Sequence, residues 1–318
     1  MYKKFFIKTI IIVFIMSLFP ILLAYSLSDK HVWKSESPAI IITKHKEISD
    51  KIDSPKMLII GGSSTLLGVN TERMSKELNY PIINLGSTVA LRLDYILYDA
   101  KRNIQNNDIV ILPLEYAIYY EDELSEEKLV QIWQNDKQYF NELPVVAKIK
   151  LLWNVPFYLE CKVLGTYLGI STTRENRTEL VYTTVNKNGD SINTLETEEK
   201  KLSIENPFFR NKYYLDNDIK NTIIDFLNYC KEKNVKVFVT YPPYYYNQKY
   251  FDGYNLKQIN KINDFWKEQD VTILGQYTDF IYTDKNDFYD SQYHLNIKGR
   301  EKRTEQLIKL LKPYINNN

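Results

Sequence analysis

A serine in a glycine-flanked turn is the first residue of this chain that is placed to do chemistry. Four apolar residues, 57–60, precede Gly61-Gly62-Ser63, a pattern that predicts a buried parallel strand entering a tight turn. At such a turn the serine hydroxyl is exposed and its backbone N–H is available for a developing oxyanion. Ser64 is the reserve nucleophile, and a helix-capping serine or a phosphate cradle remain open as alternatives.

His294 is the candidate general base for that serine. The other two histidines, His31 and His45, fall in a polar N-terminal stretch that is predicted to be a stalk. Asp290 stands four residues before His294, and on a helical turn this spacing puts carboxylate and imidazole on the same side. A bend would serve as well. The three side chains then have the types needed for acyl transfer, while a merely structural pair at the start of the last helix remains the alternative.

Strand and helix patterns alternate along the chain, as they must to position these residues. Apolar runs predict strands at 57–60, 81–85, 109–114, 235–240 and 271–274, and amphipathic spacing predicts helices at 71–78, 91–104, 216–233, 255–266 and 300–312. The alternation predicts an α/β three-layer, flavodoxin-like fold with a parallel sheet of about five strands. Its strands would end at one edge, where ligands bind in open α/β sheets.

A large insertion, residues 119–215, follows the third predicted strand. It contains a predicted helix at 125–139 and a predicted hairpin at Asn188-Gly189-Asp190. Insertions at this edge of a sheet build lids and substrate walls, although a purely structural subdomain is an equal alternative.

The N-terminus predicts a membrane anchor. Residues Thr9 to Ser28 carry no charge and are long enough to cross a bilayer. Three lysines, at positions 3, 4 and 8, precede them, so the positive-inside rule leaves the N-terminus in the cytoplasm. We therefore expect a signal-anchor helix at 1–28, a stalk at 29–55 with a short strand at 39–43, and an extracytoplasmic domain at 56–318. A cleaved signal peptide is the alternative.

Composition excludes several classes of function. The net charge of +1 gives no broad basic face for nucleic acid. Two cysteines without a CxxC pair argue against structural zinc, and no Gly-Lys-Ser/Thr follows the glycine turn, so a nucleotide P-loop is excluded. We expect no metal and no organic cofactor.

Two blocks of this sequence resemble those of a known superfamily. Gly61-Gly62-Ser63 with Gly68 five residues after the serine, and Asp290 and His294 ahead of Leu-Asn-x-x-Gly, resemble the SGNH/GDSL hydrolases. The likeness is greatest to membrane-anchored members associated with acylation of cell-envelope polymers such as teichoic acids. It covers about residues 56 to 312 apart from the insertion.

The resemblance implies further site residues and also shows two departures. The second block of the family supplies an oxyanion N–H, here that of Gly86. The aspartate stands four residues before the histidine instead of three, and Glu115 follows strand three where the family has an asparagine donor. A carboxylate only accepts hydrogen bonds, and losing one oxyanion donor typically costs about 100- to 1,000-fold in rate. Candidates for substrate contact are Glu115, Tyr116 and Tyr241; alternatively, Glu115 positions the loops and Tyr116 aids the oxyanion hole.

The implied function is that of a serine-dependent O-acyl esterase or acyltransferase. Its substrate would be an envelope polysaccharide or a teichoic-acid-like polymer. The alternative is a non-catalytic membrane-anchored scaffold, or polymer-binding partner, of a membrane O-acyltransferase. A phosphate-ester enzyme would need a metal site, which no motif in the sequence provides.

Overall fold

The computed structural model divides the chain into two units, which are described separately. One comprises residues 1–40 and 124–179, and the other comprises residues 41–123 and 180–318. The structure describes residues 2–27, 40–53, 55–120, 132, 135–146, 148, 165, 168, 184–192, 202–204, 208, 210, 212–248 and 252–315.

Parallel strands form the centre of the second unit. They are β1 (Met57–Gly61), β2 (Ile82–Gly86), β3 (Ile109–Leu112), β4 (Lys236–Val239), β5 (Tyr244–Tyr245), β6 (Thr272–Ile273) and β7 (Ile281–Tyr282). Five of them make one sheet in the order β2-β1-β3-β4-β6, and β5 pairs with β7. Every residue of β1, β2 and β3 is buried, which explains their continuous apolar runs. The predicted α/β fold with a five-stranded parallel sheet is confirmed.

The helices are α1 (Tyr2–Leu27), α2 (Ile40–Ser49), α3 (Ser63–Gly68), α4 (Thr71–Leu78), α5 (Arg92–Asn103), α6 (Lys137–Glu142), α7 (Asn217–Glu232), α8 (Gly253–Glu268) and α9 (Ile297–Ile315). In the second unit α5 contacts α7, while α9 contacts α3 and α4. These two helix groups are compatible with a three-layer arrangement. Each of the five strands and five helices predicted for the α/β alternation overlaps an observed element of the same type.

The first unit contains α1 and α6. The predicted anchor falls on α1, whose large apolar side chains from Phe5 to Met16 are exposed. Within the described part of the chain, no helix has the combined length and apolar character needed to cross a bilayer. Most of the predicted helix at 125–139 lies outside the described residues.

The second half of the predicted stalk is a helix of the α/β unit. The strand expected at 39–43 is wrong, because α2 begins at Ile40 and buries Ile41, Ile42 and Ile48. These apolar positions have helical spacing, which a window of five residues could not distinguish from a strand. Residues 28–39 lie outside the described part of the chain.

The predicted hairpin at 188–190 covers the edge of the sheet. Val185 and Ser191 form an antiparallel bridge around it. The Asn84 N–H of β2 donates to the Asn188 carbonyl at 2.8 Å, and the Asn188 side chain donates to the Ile82 carbonyl at 2.9 Å. β2 is the outermost strand on its side, so these bonds satisfy backbone groups that an edge strand leaves open. This part of the insertion is structural.

Gly189 provides the first testable prediction, because its backbone has φ of +93°. A Cβ there would lie 2.3 Å from the Asn84 carbonyl oxygen. We expect Gly189→Ala to lower the free energy of unfolding by about 1–3 kcal/mol. Urea denaturation followed by circular dichroism measures the change.

Gly253→Ala is the matched control. A Cβ at Gly253 meets nothing within 4 Å, so we expect no loss of stability. Equal midpoints for the two variants would contradict the role given to the hairpin.

Candidate active site

Ser63, His294 and Asp290 form a continuous hydrogen-bonded chain. The Ser63 Oγ lies 2.8 Å from the His294 Nε2, and the His294 Nδ1 lies 2.6 Å from the Asp290 Oδ1. A carboxylate only accepts, so the proton on Nδ1 faces Asp290 and leaves Nε2 to accept from the serine hydroxyl. This arrangement has the geometry of a nucleophile, a general base and the group that orients the base.

Exposure distinguishes the two adjacent serines. Ser63, the first residue of α3, keeps 8% of its surface exposed, whereas Ser64 has none. The Ser64 hydroxyl is buried and has no hydrogen-bond partner among the described residues. Ser63 is therefore the serine that a substrate could reach.

A bend, and not a helical turn, brings Asp290 to His294. The Tyr289 N–H donates to the His294 carbonyl at 2.8 Å, and Phe288 and Leu295 form an antiparallel bridge. The four-residue spacing predicted from a helix therefore works through a closed loop. We call residues 288–295 the histidine loop.

Asn296 anchors the C-terminal end of the histidine loop. Its side-chain amide donates to the carbonyls of Asn286 and Phe288, and its Oδ1 accepts from the Gly299 N–H in the first turn of α9. The Leu-Asn-x-x-Gly pattern thus joins the histidine loop to the helix that follows it.

Two distant segments hold the histidine loop from the other side. Ser203, in the insertion, donates its N–H to the Asp290 carbonyl at 3.0 Å and accepts from the Gln292 N–H at 3.2 Å. Tyr245 in β5 donates its N–H to the Gln292 carbonyl at 3.0 Å. The orientation of the imidazole therefore depends on residues that sequence reasoning had not connected with it.

Glu115 fixes the backbone on both sides of Ser63. One carboxylate oxygen accepts from the Gly62 N–H at 2.9 Å and the other accepts from the Ser64 N–H at 2.8 Å. The side chain is 1% exposed. Of the two roles predicted for Glu115, substrate contact and positioning of the loops, its hydrogen bonds favour the second, because they hold the nucleophile turn.

A buried arginine supports the same turn. Arg303 on α9 has no exposed surface, and its Nη1 donates to the Ser64 carbonyl at 2.8 Å. Burial lowers the pKa of this guanidinium to about 10, while the nearby charges of Tyr282 and Glu115 act to raise it. It remains a cation at neutral pH, close enough to balance part of the Glu115 charge.

The structure does not aim the predicted Gly86 donor at the site. The Gly86 N–H donates to the Asn84 Oδ1 at 2.8 Å, and the Asn84 amide in turn donates to the Thr65 carbonyl and to Asp190. The resemblance assigned Gly86 a role from its glycine alone, and it gave no information about the neighbouring Asn84 side chain, which accepts from the Gly86 N–H. Within the described residues the Ser63 N–H has no acceptor, so it is the donor available to an oxyanion.

The tyrosines predicted to touch substrate belong largely to the core. Tyr116 is 6% exposed and its ring lies 4.7 Å from that of Phe208, centroid to centroid. Burial raises the pKa of its phenol well above the usual value. The Tyr241 hydroxyl donates to the Asn263 side chain at 2.9 Å. Both rings are largely buried.

His45 is a second imidazole in the same unit. The expectation that His294 has no competitor there is wrong, because α2 buries His45 completely. Its ring lies between Asp99 and the Gly86 carbonyl. His45 lies within residues 29–55, which were predicted to be a stalk outside the α/β domain.

No group of three or more His, Cys, Asp or Glu side chains in the described residues could hold a metal ion. Comparisons of the sequence with models of known protein families and with curated proteins give no match. The function must therefore be argued from the geometry of the site itself.

Replacing Glu115 tests whether its carboxylate fixes the nucleophile turn. In Glu115→Gln one of the two N–H donors faces an amide NH₂ and loses its acceptor. We expect a loss of about 1–3 kcal/mol in the free energy of unfolding, measured with urea.

Glu77→Gln is the control for the same chemical change. Its carboxylate is half-exposed and pairs with Arg73 at 2.7 Å on the surface of α4, so the effect should be at most about 1 kcal/mol. Similar losses for the two variants would show that the buried contacts of Glu115 add nothing.

Proposed function

We propose that this protein is a serine-dependent O-acyl esterase or acyltransferase. The observation that supports this most strongly is the unbroken chain from the Ser63 hydroxyl through His294 to Asp290, with both contacts at 2.8 Å or less. A capping or purely structural role for His294 would not require its Nε2 to accept from an accessible serine.

The chemistry follows from these three side chains. The Ser63 Oγ attacks the ester carbonyl while its proton passes to the His294 Nε2, and Asp290 stabilises the imidazolium that forms. His294 then returns the proton to the leaving alcohol, which leaves an acyl group on Ser63. A water molecule or a sugar hydroxyl, deprotonated by the same imidazole, completes hydrolysis or transfer.

Glu115, the departure in the third block, contacts Gly62, which is a further departure because the first block of the family is Gly-Asp-Ser. Where the family has an aspartate between glycine and serine, this chain has Gly62, and where the family has an asparagine it has Glu115. A Cβ on Gly62 would lie 2.7 and 2.9 Å from the two Glu115 carboxylate oxygens. The carboxylate beside the nucleophile therefore comes from the third block instead of the first.

The supply of oxyanion donors limits the rate of both hydrolysis and transfer, because the same oxyanion forms in each reaction. The N–H groups of Gly62, Ser64 and Gly86 all have acceptors within the protein. The Ser63 N–H is left to stabilise the oxyanion, and each missing donor typically costs about 100- to 1,000-fold in rate. Slow reaction with water suits an enzyme that passes an acyl group to a polymer.

The proposed location and substrate rest on the sequence. The uncharged residues 9–28 behind three lysines support a single-pass anchor with a cytoplasmic N-terminus, and thus an extracytoplasmic site. The resemblance to envelope-acylating members then makes an acylated envelope polysaccharide or teichoic-acid-like polymer the substrate, with a membrane O-acyltransferase as partner.

The occupied donors also favour a second candidate function. A protein that binds the polymer or the acyltransferase without catalysis would need no oxyanion hole, and only one candidate N–H is open here. Such a scaffold would retain the Ser63–His294 contact as a structural hydrogen bond.

A fluorophosphonate probe, which reacts with activated serines, separates the two functions. We expect the full-length protein to be labelled at Ser63 and Ser63→Ala to be unlabelled. His294→Gln should slow labelling by about 100-fold or more, because the general base is lost. Peptide mass spectrometry identifies the labelled residue.

Ser64→Ala is the matched control. Its hydroxyl is buried, so the variant should label like the wild type. An unlabelled wild type whose fold is intact by circular dichroism would favour the scaffold, and loss of label only in Ser64→Ala would transfer the nucleophile to that residue.

A further inference from the structure

A second histidine–aspartate pair lies behind the active-site edge of the sheet. The His45 Nδ1 on α2 lies 2.7 Å from the Asp99 Oδ2 on α5, and its Nε2 lies 3.1 Å from the Gly86 carbonyl oxygen. His45 has no exposed surface and Asp99 is 3% exposed. The dyad of Ser63 and His294 does not use this pair.

The two hydrogen-bond partners of His45 determine whether its ring nitrogens donate or accept. Asp99 also accepts from Arg102 at 3.1 Å through its other oxygen. A carboxylate and a carbonyl are both acceptors, so each nitrogen of the His45 ring can bond its partner only as a donor. This is the opposite of His294, where Nε2 must accept from Ser63.

Two peptide groups connect His45 to the turn that carries the nucleophile. His45 donates to the Gly86 carbonyl, and the N–H of the same peptide, that of Ser87, donates to the Gly61 carbonyl at 3.0 Å. The N–H of the next peptide, that of Gly62, donates to Glu115 at 2.9 Å. Every hydrogen bond in this chain runs in the same direction, from the His45 ring to the Glu115 carboxylate.

The carboxylate at the acceptor end reinforces such a chain. An anion there polarises the intervening peptides in one direction, and hydrogen bonds in a polarised chain strengthen one another. The chain is buried, so little solvent screening weakens it. The chain of hydrogen bonds fixes the Gly61–Gly62 peptide, and Gly62 is the residue before Ser63.

We propose that His45 is a positioning residue for Ser63, acting through the Gly86 and Gly61 carbonyls. This inference rests on the proposed serine chemistry and adds the residues that set where the nucleophile stands. It also gives α2 a role in the site: the segment between the N-terminal region and β1 supplies a hydrogen-bond donor that orients the nucleophile turn.

Two substitutions separate the contacts of His45. In His45→Gln the amide nitrogen reaches the position of Nε2 and donates to Gly86, whereas in His45→Asn it reaches only the position of Nδ1 and donates to Asp99. The second-order rate of fluorophosphonate labelling of the full-length protein is the readout. We expect His45→Asn to label about tenfold more slowly or worse, and His45→Gln to remain within about threefold of wild type.

Ser49→Ala controls for damage to the docking of α2. The buried Ser49 hydroxyl donates to the Asn103 carbonyl at 3.2 Å without touching the peptide chain. We expect this variant to lose thermal stability but to label at the wild-type rate. A purely structural role for His45 predicts instead that rates follow thermal midpoints in all three variants, and that result overturns the proposal.

The remaining outcomes also decide the question. A folded His45→Asn protein that labels at the wild-type rate contradicts the positioning role of His45 and leaves the proposed function intact. A wild type that does not label at all removes both. Should His45→Asn fail to fold, ¹⁵N-histidine NMR of the wild type decides: a protonated, hydrogen-bonded Nε2 is expected for His45, and an Nε2 without a proton refutes the proposal.

Discussion

The carboxylate of Glu115 accepts hydrogen bonds from the N–H groups on both sides of Ser63, and the geometry of the site depends on this contact. A buried carboxylate is costly unless its charge is met by donors. Here two backbone donors meet it directly, and the Arg303 guanidinium lies close enough to interact with it. The turn is thereby held at the Gly61–Gly62 and Ser63–Ser64 peptides, and Ser63 has little freedom to move away from His294.

The histidine side of the site is held by more distant parts of the chain. The histidine loop closes on itself and is joined to α9 by Asn296. It is also bonded to Ser203 of the insertion and to Tyr245 of β5. The insertion thus has two structural tasks in its described parts, covering the edge of β2 and supporting the loop that carries the proposed general base. Any role in recognising substrate would be additional to these.

These supports explain how a site with few oxyanion donors could still be built for acyl chemistry. The N–H groups that could have faced an oxyanion fix the turn instead. The reaction is therefore expected to be slower, while Ser63 is held more firmly in place. In the proposed transfer reaction, a nucleophile with a fixed direction and a slow reaction with water are both useful. The chain of hydrogen bonds from His45 extends the same principle, because it orients the peptide before Ser63 from the opposite side of the sheet.

Local sequence patterns determined the sheet, the order of its elements and the three side chains of the proposed triad. Apolar runs are short-range signals, and Asp290 and His294 are close enough in sequence for their spacing to be informative. Tertiary structure decided the rest. Glu115 and Gly62 are 53 residues apart, and His45 and Asp99 are 54 residues apart. No local sequence pattern predicts a contact over such a separation. The fate of the Gly86 N–H depends on an Asn84 side chain whose direction is set by packing against α3 and the hairpin, a property of the folded chain alone.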